Sequence, residues 1–119
     1  MKPDWYNFPD YLIEQFPELR GDIEESYVQW LDAFRDPYPH VFLEEYIGEM
    51  LIGRGSHAPD VRRRAGEILD AVLSSSDADL AEAGLTAILE QLRDDETYRL
   101  AAWPYLGEVA RDWLTRMSS

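Results

Sequence analysis

The residues with the widest chemical range sit on one short stretch. His40 and Glu44 are one helical turn apart, Glu45 and Glu49 repeat that spacing, and His57 follows in the next loop. A metal centre needs three or four converging ligands. This set matches neither His-Glu-x-x-His nor the Glu-x-x-His pair of di-iron bundles. His40 directly after Pro39 reads more simply as a helix-start residue, with Glu44 and Glu45 where a helix dipole favours negative charge. No metal and no cofactor is therefore expected. Nucleophile signals are weaker still. The chain has no cysteine and no Gly-x-Ser-x-Gly, and the run Ser74 to Ser76 reads as a turn between helices. Gly53-Arg54-Gly55 ends a helix rather than cradling a phosphate. Paired carboxylates serve acid–base catalysis only when burial and neighbours set them apart, and among so many acids adjacency alone singles out none. The sequence reads as a non-enzyme.

One basic cluster stands out, Arg62-Arg63-Arg64. A turn of arginines suits a phosphate or an acidic peptide. Asp60, Glu67 and Asp70 lie within reach on the same helix, so the spacing predicts surface ion pairs worth about 0.3 kcal/mol each. The acidic clusters are better candidates. Glu24-Glu25, Glu44-Glu45-Glu49, Asp77-Asp79-Glu82 and Asp94-Asp95-Glu96 each gather two or three charges. Solvated helix faces and N-caps account for such clusters in general. As a functional reading, they form a negative patch for a basic protein, with nearby aromatics as anchors. The aromatics in question are Trp5, Tyr6, Tyr38, Trp103 and Tyr105; Trp30 and Trp113 fall on apolar stripes and read as core. Glu44, Glu45, Glu49, Asp94, Asp95, Glu96, Trp103 and Tyr105 are the candidate partner-binding residues.

The elements that must position them are helical nearly throughout. A short helix over Pro9 to Phe16 offers Tyr11, Leu12, Phe16 and Phe8 to the core. A second starts near Pro17 and runs to about Phe34, with Ile23, Tyr27, Trp30, Leu31 and Phe34 as one buried stripe. Asp36-Pro37-Tyr38-Pro39 breaks it. His40 to Ile52 is apolar over more than half its circumference and reads as central, ending at Gly53-Arg54-Gly55-Ser56. Pro59 to Leu73 buries Val61, Ala65, Ile68, Leu69, Val72 and Leu73. After a short serine turn, with Ser76 or Asp77 as N-cap, Ala78 to Leu92 buries Ala81, Leu85, Ile88, Leu89 and Leu92. These two form an antiparallel hairpin. The last segment, Glu96 to Met117, breaks at Trp103-Pro104. The fold class is all-α, a compact bundle of five to seven helices in one domain over residues 1–119.

Composition bounds the rest. There are 24 Asp and Glu against 11 Lys and Arg, a formal net charge of −13 on 119 residues. That excess disfavours nucleic-acid phosphate and anionic membrane as direct partners and favours steered encounter with a basic protein. A hydrophobic fraction of 45% supplies a core and separates the chain from the disordered class. No apolar run approaches the roughly 20 residues that span a bilayer. Met1-Lys2-Pro3-Asp4-Trp5 lacks the layout of a signal peptide, and zero cysteines fit a cytoplasmic location.

Two resemblances add to this reading. The hairpin Pro59 to Leu92 resembles a HEAT-type repeat in its Val61-Arg62, Ile68-Leu69 and Val72-Leu73 pairs and its small residues Ala81, Ala83 and Gly84. Phe16-Pro17-Glu18-Leu19, Pro39-His40-Val41-Phe42 and Leu106-Gly107 resemble motifs of a family of small, acidic, all-helical bacterial proteins. That family is a domain of unknown function, with some members immunity-protein-like. The resemblance implies a binding role and transfers no catalytic residue. The resulting expectation is an immunity-type inhibitor that masks a cognate toxin. The alternatives are an acidic nucleic-acid mimic and a HEAT-like adaptor, the last expected to show a hydrophobic patch.

Overall fold

Pro9, Pro17, Pro39, Pro59 and Pro104 each stand in the first turn of a helical segment. There the missing N–H has no partner to lose and the fixed φ already suits a helix. The computed structural model describes residues 1–54 and 57–117, with the side chains of Trp30, Asp32 and Phe34 outside that description. The helices are α1 (Phe8–Gln15), α2 (Arg20–Phe34), α3 (Pro39–Phe42), α4 (Glu49–Ile52), α5 (Pro59–Leu73), α6 (Ala78–Gly84), α7 (Glu90–Asp94), α8 (Glu96–Ala102) and α9 (Glu108–Met117). Two π-helical turns, Leu43–Gly48 and Leu85–Leu89, join α3 to α4 and α6 to α7 without a break. Counted as continuous rods, the described residues make seven helices and no strand. None is long and apolar enough to cross a membrane.

The core is one connected cluster. Phe8, Leu12, Phe16, Ile23, Phe42, Leu43, Ile47, Leu51, Leu69, Leu80 and Leu89 are fully or almost fully buried in it. The Cα radius of gyration is 13.5 Å, close to the roughly 13.5 Å that a folded chain of this length adopts. The central position expected for His40 to Ile52 holds: Phe42, Leu43, Ile47, Met50 and Leu51 are buried, with Val41 and Tyr46 partly covered.

Three sequence expectations change. The helix expected from Pro17 is divided: Pro17–Leu19 is a 3-10 turn and α2 begins at Arg20. In the rod from Ala78 to Asp94, Leu80, Ala83 and Ala87 are buried, while Ala81 and Leu85 are only partly covered. A π turn holds one residue more than an α turn. The buried stripe therefore changes phase across Leu85–Leu89, which a uniform 3.6-residue period does not anticipate. The third change is in α2. Ile23 is buried, but Tyr27 is only half-buried and Leu31 is 36% exposed. Its most extensive contacts are with α1 and the 3-10 turn. The side chains of Trp30 and Phe34, read as part of the same stripe, and the terminator residues Gly55 and Ser56 lie outside the described residues.

Close contacts fix α5 against α9. Gly66 sits where a Cβ would lie 1.9 Å from the Tyr105 carbonyl oxygen. One turn later on that face, the Asp70 carboxylate accepts the N–H groups of Val109 (3.3 Å) and Ala110 (3.0 Å), capping α9 from another helix. Gly107 leaves room for it, since a Cβ there would fall 1.9 Å from Asp70 Oδ2. The Leu106-Gly107 helix start thus has a packing reason: Leu106 is buried and Gly107 admits the cap.

Candidate protein-docking groove

The two π turns pack on each other, and beside them α4, α7 and α8 enclose a groove of about 210 Å³. Its apolar side is Leu51, Ile52, Ala87, Ile88 and Leu92, and its polar rim is Glu44, Glu49, Arg54, Gln91 and Tyr98. Local structure sets the rim. Gly53 takes a positive φ of 75° and ends α4. The Arg54 N–H then bonds the Glu49 carbonyl at 3.1 Å, which keeps the side chains of Arg54 and Glu49 in reach of each other at 3.3 Å. The Arg54 guanidinium also donates to the Tyr98 hydroxyl and lies 5.4 Å from that ring's centroid. Tyr98 is placed by Asp95, whose carboxylate caps α8 by accepting the Tyr98 N–H at 3.1 Å. Glu44 is exposed and bonds to no other described group.

The structure divides the sequence-chosen residues. Glu44 and Glu49 line the groove. Glu45 belongs to another neighbourhood, with Asp22 and Glu25 near the Tyr46 hydroxyl. Burial is the main reason that phenol is held above its ordinary pKa; a hydrogen bond with Ser26 opposes the shift and the three carboxylates add to it. The run Asp94-Asp95-Glu96 does not make one patch. Asp94 pairs with Arg93 at 2.9 Å, Asp95 is the N-cap of α8, and Glu96 is exposed in the first turn. Trp103 is 37% exposed and its carbonyl accepts two bonds from Arg111, at 3.2 and 2.8 Å. Tyr105 is half-buried beneath Arg62, whose guanidinium carbon is 4.0 Å from the ring centroid.

A family model, a domain of unknown function (DUF7674), matches residues 9–118, nearly the whole chain. The chain belongs to the DUF7674 family. No curated protein and no solved structure matches it. All residues of the groove fall inside the DUF7674 match, as do the candidate residues that lie off it.

The arginine run of this DUF7674 domain has a different role from the one its spacing predicts. Arg62 donates to the carbonyls of Leu51 (3.0 Å) and Ala101 (2.8 Å) rather than to a carboxylate of its own helix. Arg64 donates to the Gln15 carbonyl and to Glu18, with its guanidinium 4.4 Å from the Phe16 ring centroid. Asp60, Glu67 and Asp70 do not pair with either; Asp70 is engaged at α9. A helix surface offers carboxylates at i+3 and i+4, but the half-buried guanidinium groups reach carbonyls at helix ends that have no partner within their own helices.

Sequence reading missed Arg54 and Tyr98, which are 44 residues apart and meet only in the fold. It also missed a second, more open hollow of about 250 Å³ lined by Trp5, His40, Asp79, Glu82, Ala83 and Thr86. Trp5 is held there by its N–H to Asp77 (2.7 Å) and its indole N–H to Asp36 (2.8 Å). His40 stacks on Tyr38 and meets Trp5 edge-on, and its Nδ1 is buried without a described hydrogen-bond partner. Asp77 confirms one of the two N-caps offered for the helix after the serine turn, accepting from Asp79 and Leu80. Among the described residues, no three His, Asp or Glu side chains are placed to hold a metal ion.

Proposed function

We propose that this DUF7674 domain is a protein-binding module that masks a basic partner, most concretely as an immunity-type inhibitor of a bacterial toxin in the cytoplasm. The observation that supports it is the groove beside Glu44. Its volume of about 210 Å³ is below the roughly 300 Å³ at which small-molecule sites begin. It has room for one long side chain: the apolar side takes the stem, and the Glu44 carboxylate takes a cationic head. A few such anchors carry most of an interface's energy, and the surrounding negative charge speeds encounter. The partner class is a basic protein, not nucleic acid or membrane, and no cofactor enters.

The test is affinity capture from the source organism at low and high salt, followed by association kinetics with what is retained. One stoichiometric basic protein that survives high salt is the expected result, and Glu44→Gln should slow its association about tenfold at low salt. A set of nucleic-acid-binding proteins, all lost at high salt, would replace the reading with a nucleic-acid mimic. A HEAT-like adaptor is the second reading, favoured by the uncovered apolar residues Val28 and Leu31 on α2.

A further inference from the structure

We propose that the hollow between Trp5, His40 and α6 binds a methylated ammonium group, carried by a small molecule or by a modified lysine side chain. The hollow stands apart from the groove beside Glu44 and shares no lining residue with it. Its volume of about 250 Å³ has room for one head group, since sites for larger ligands begin at roughly 300 Å³. Two of its walls are aromatic. The rings of Trp5 and His40 meet at 65° with their centroids 5.5 Å apart, and Tyr38 stacks on His40 at 5.3 Å. The rod that begins with α6 closes the other side, where Asp79, Glu82, Ala83 and Thr86 fall at steps of three and four on one helix face.

Hydrogen-bond chemistry selects the ligand. The Trp5 indole N–H is engaged by Asp36 (2.8 Å) and its backbone N–H by Asp77 (2.7 Å). Both ends of the residue are therefore held, and the ring is set before a ligand arrives. The Thr86 hydroxyl is turned back on its own helix, to the carbonyls of Glu82 (3.1 Å) and Ala83 (3.4 Å). Apart from the His40 ring, whose Nδ1 is buried without a described partner, the side chains that line the hollow have no donor to give. What they offer is ring faces and the carboxylates of Asp79 and Glu82. Both residues are exposed, and neither is ion-paired among the described residues. No Lys or Arg lines the hollow, so an anion finds neither charge nor donor there. A metal ion fits no better, because no three His, Asp or Glu side chains among the described residues are placed to hold one. A primary ammonium is strongly hydrated and keeps its water at so open a site. A methylated ammonium carries the same charge under an apolar surface, needs no acceptor and is held by ring faces.

The probes are choline and its neutral isostere, the alcohol with a tert-butyl group in place of the trimethylammonium, titrated into the full chain. Choline should shift the Trp5 indole N–H and the amides of Asp79 to Thr86, spare Gly48 and Gln91 in the groove, and bind roughly tenfold tighter than the isostere. Asp79→Asn with Glu82→Gln, both at exposed positions, should weaken choline about threefold, while Glu44→Gln leaves it unchanged. A trimethyllysine peptide and its unmethylated counterpart then separate the two sources. Tighter binding of the methylated peptide than of choline assigns the cation to a protein, and tighter binding of choline assigns it to a free small molecule. Equal binding of the isostere, equal binding by the double variant, shifts centred elsewhere, no shift at all, or an unmethylated peptide that binds as well as the methylated one would each overturn the proposal.

Discussion

The guanidinium carbon of Arg62 lies 4.0 Å from the centroid of the Tyr105 ring, and it reaches that position from a charge run that looks like surface. The same side chain donates to Leu51 O and Ala101 O. One residue of α5 thereby ties the ends of α4 and α8 and the turn before α9. Those carbonyls belong to helix C-termini, which lack partners within their own helices.

Replacing Arg62 with Met should therefore destabilise the fold by about 2–4 kcal/mol, from two charge-assisted hydrogen bonds and a cation–π contact. Lysine cannot reproduce the planar fork and should recover less than half of it. Arg63, exposed and without a described partner, should change stability by no more than about 0.5 kcal/mol when made Ala. Urea midpoints of the three variants check this. Equal losses at the two positions would mean that the run acts as one surface patch after all.

Two glycines give opposite expectations from the same substitution. A Cβ on Gly66 would lie 1.9 Å from the Tyr105 carbonyl oxygen, a backbone atom that cannot turn aside. Gly66→Ala should cost about 3 kcal/mol, at the upper end of overpacking. Gly21 lies inside α2, and a Cβ there would meet nothing within 4 Å. Gly21→Ala should stabilise by about 0.5–1 kcal/mol through helix propensity. Thermal melts of both variants decide it; a neutral Gly66→Ala would show that α5 and the 103–107 turn can separate freely.

The helices of this chain were largely legible because their ends are punctuated by proline, glycine and an aspartate cap, signals that act within a few residues. α5 matches its expected bounds, Pro59 to Leu73, for that reason. The phase of burial was not legible where a π turn intervened, because nothing local in Leu85 to Leu89 announces an extra residue in the turn. The α2 stripe misled for another reason. Periodicity says that a face is apolar and says nothing of whether the chain itself supplies a cover: of the described stripe residues Ile23 is buried and Tyr27 packs on the core, but Leu31 is left 36% exposed. Of the candidate site, Glu44 and Glu49 were among the clustered acids, but helical spacing pairs Glu49 with Glu45. It is the π turn over Leu43–Gly48 that leaves Glu44 and Glu49 on one groove and Glu45 off it. Arg54 and Tyr98 could not be read, since their meeting depends on where α8 is laid down.

Asp77 performs two tasks with two oxygens. Oδ1 caps α6 through Asp79 and Leu80, and Oδ2 accepts the Trp5 N–H at 2.7 Å. Asp77→Asn keeps a good cap and replaces one acceptor with a donor, so it should release Trp5 while costing under about 1 kcal/mol. Asp77→Ala should lose both and cost about 1–2 kcal/mol. Amide exchange at Trp5 is the deciding readout: it should quicken in both variants, and unchanged protection in either would show that Ser75, which donates to the Pro3 carbonyl, holds the N-terminal segment by itself.

Two tyrosines shielded from water predict a weakness at alkaline pH. Burial is the first cause raising the Tyr11 pKa, with Glu14 and Glu67 adding to it, and burial likewise leads at Tyr46. A raised phenol pKa means that the folded state holds its proton where the unfolded chain has already released it. The stabilisation is then fully present below the unfolded value of about 10 and is lost as pH rises through the folded value. Urea midpoints should fall between about pH 9 and about pH 11 by more in the wild type than in Tyr11→Phe with Tyr46→Phe, which has no phenol to ionise at either site. Comparing the two slopes removes the general effect of charge repulsion, since both proteins carry the same carboxylates. Parallel slopes would mean that neither hydroxyl is desolvated enough to matter, and that the fall with pH belongs to general charge repulsion.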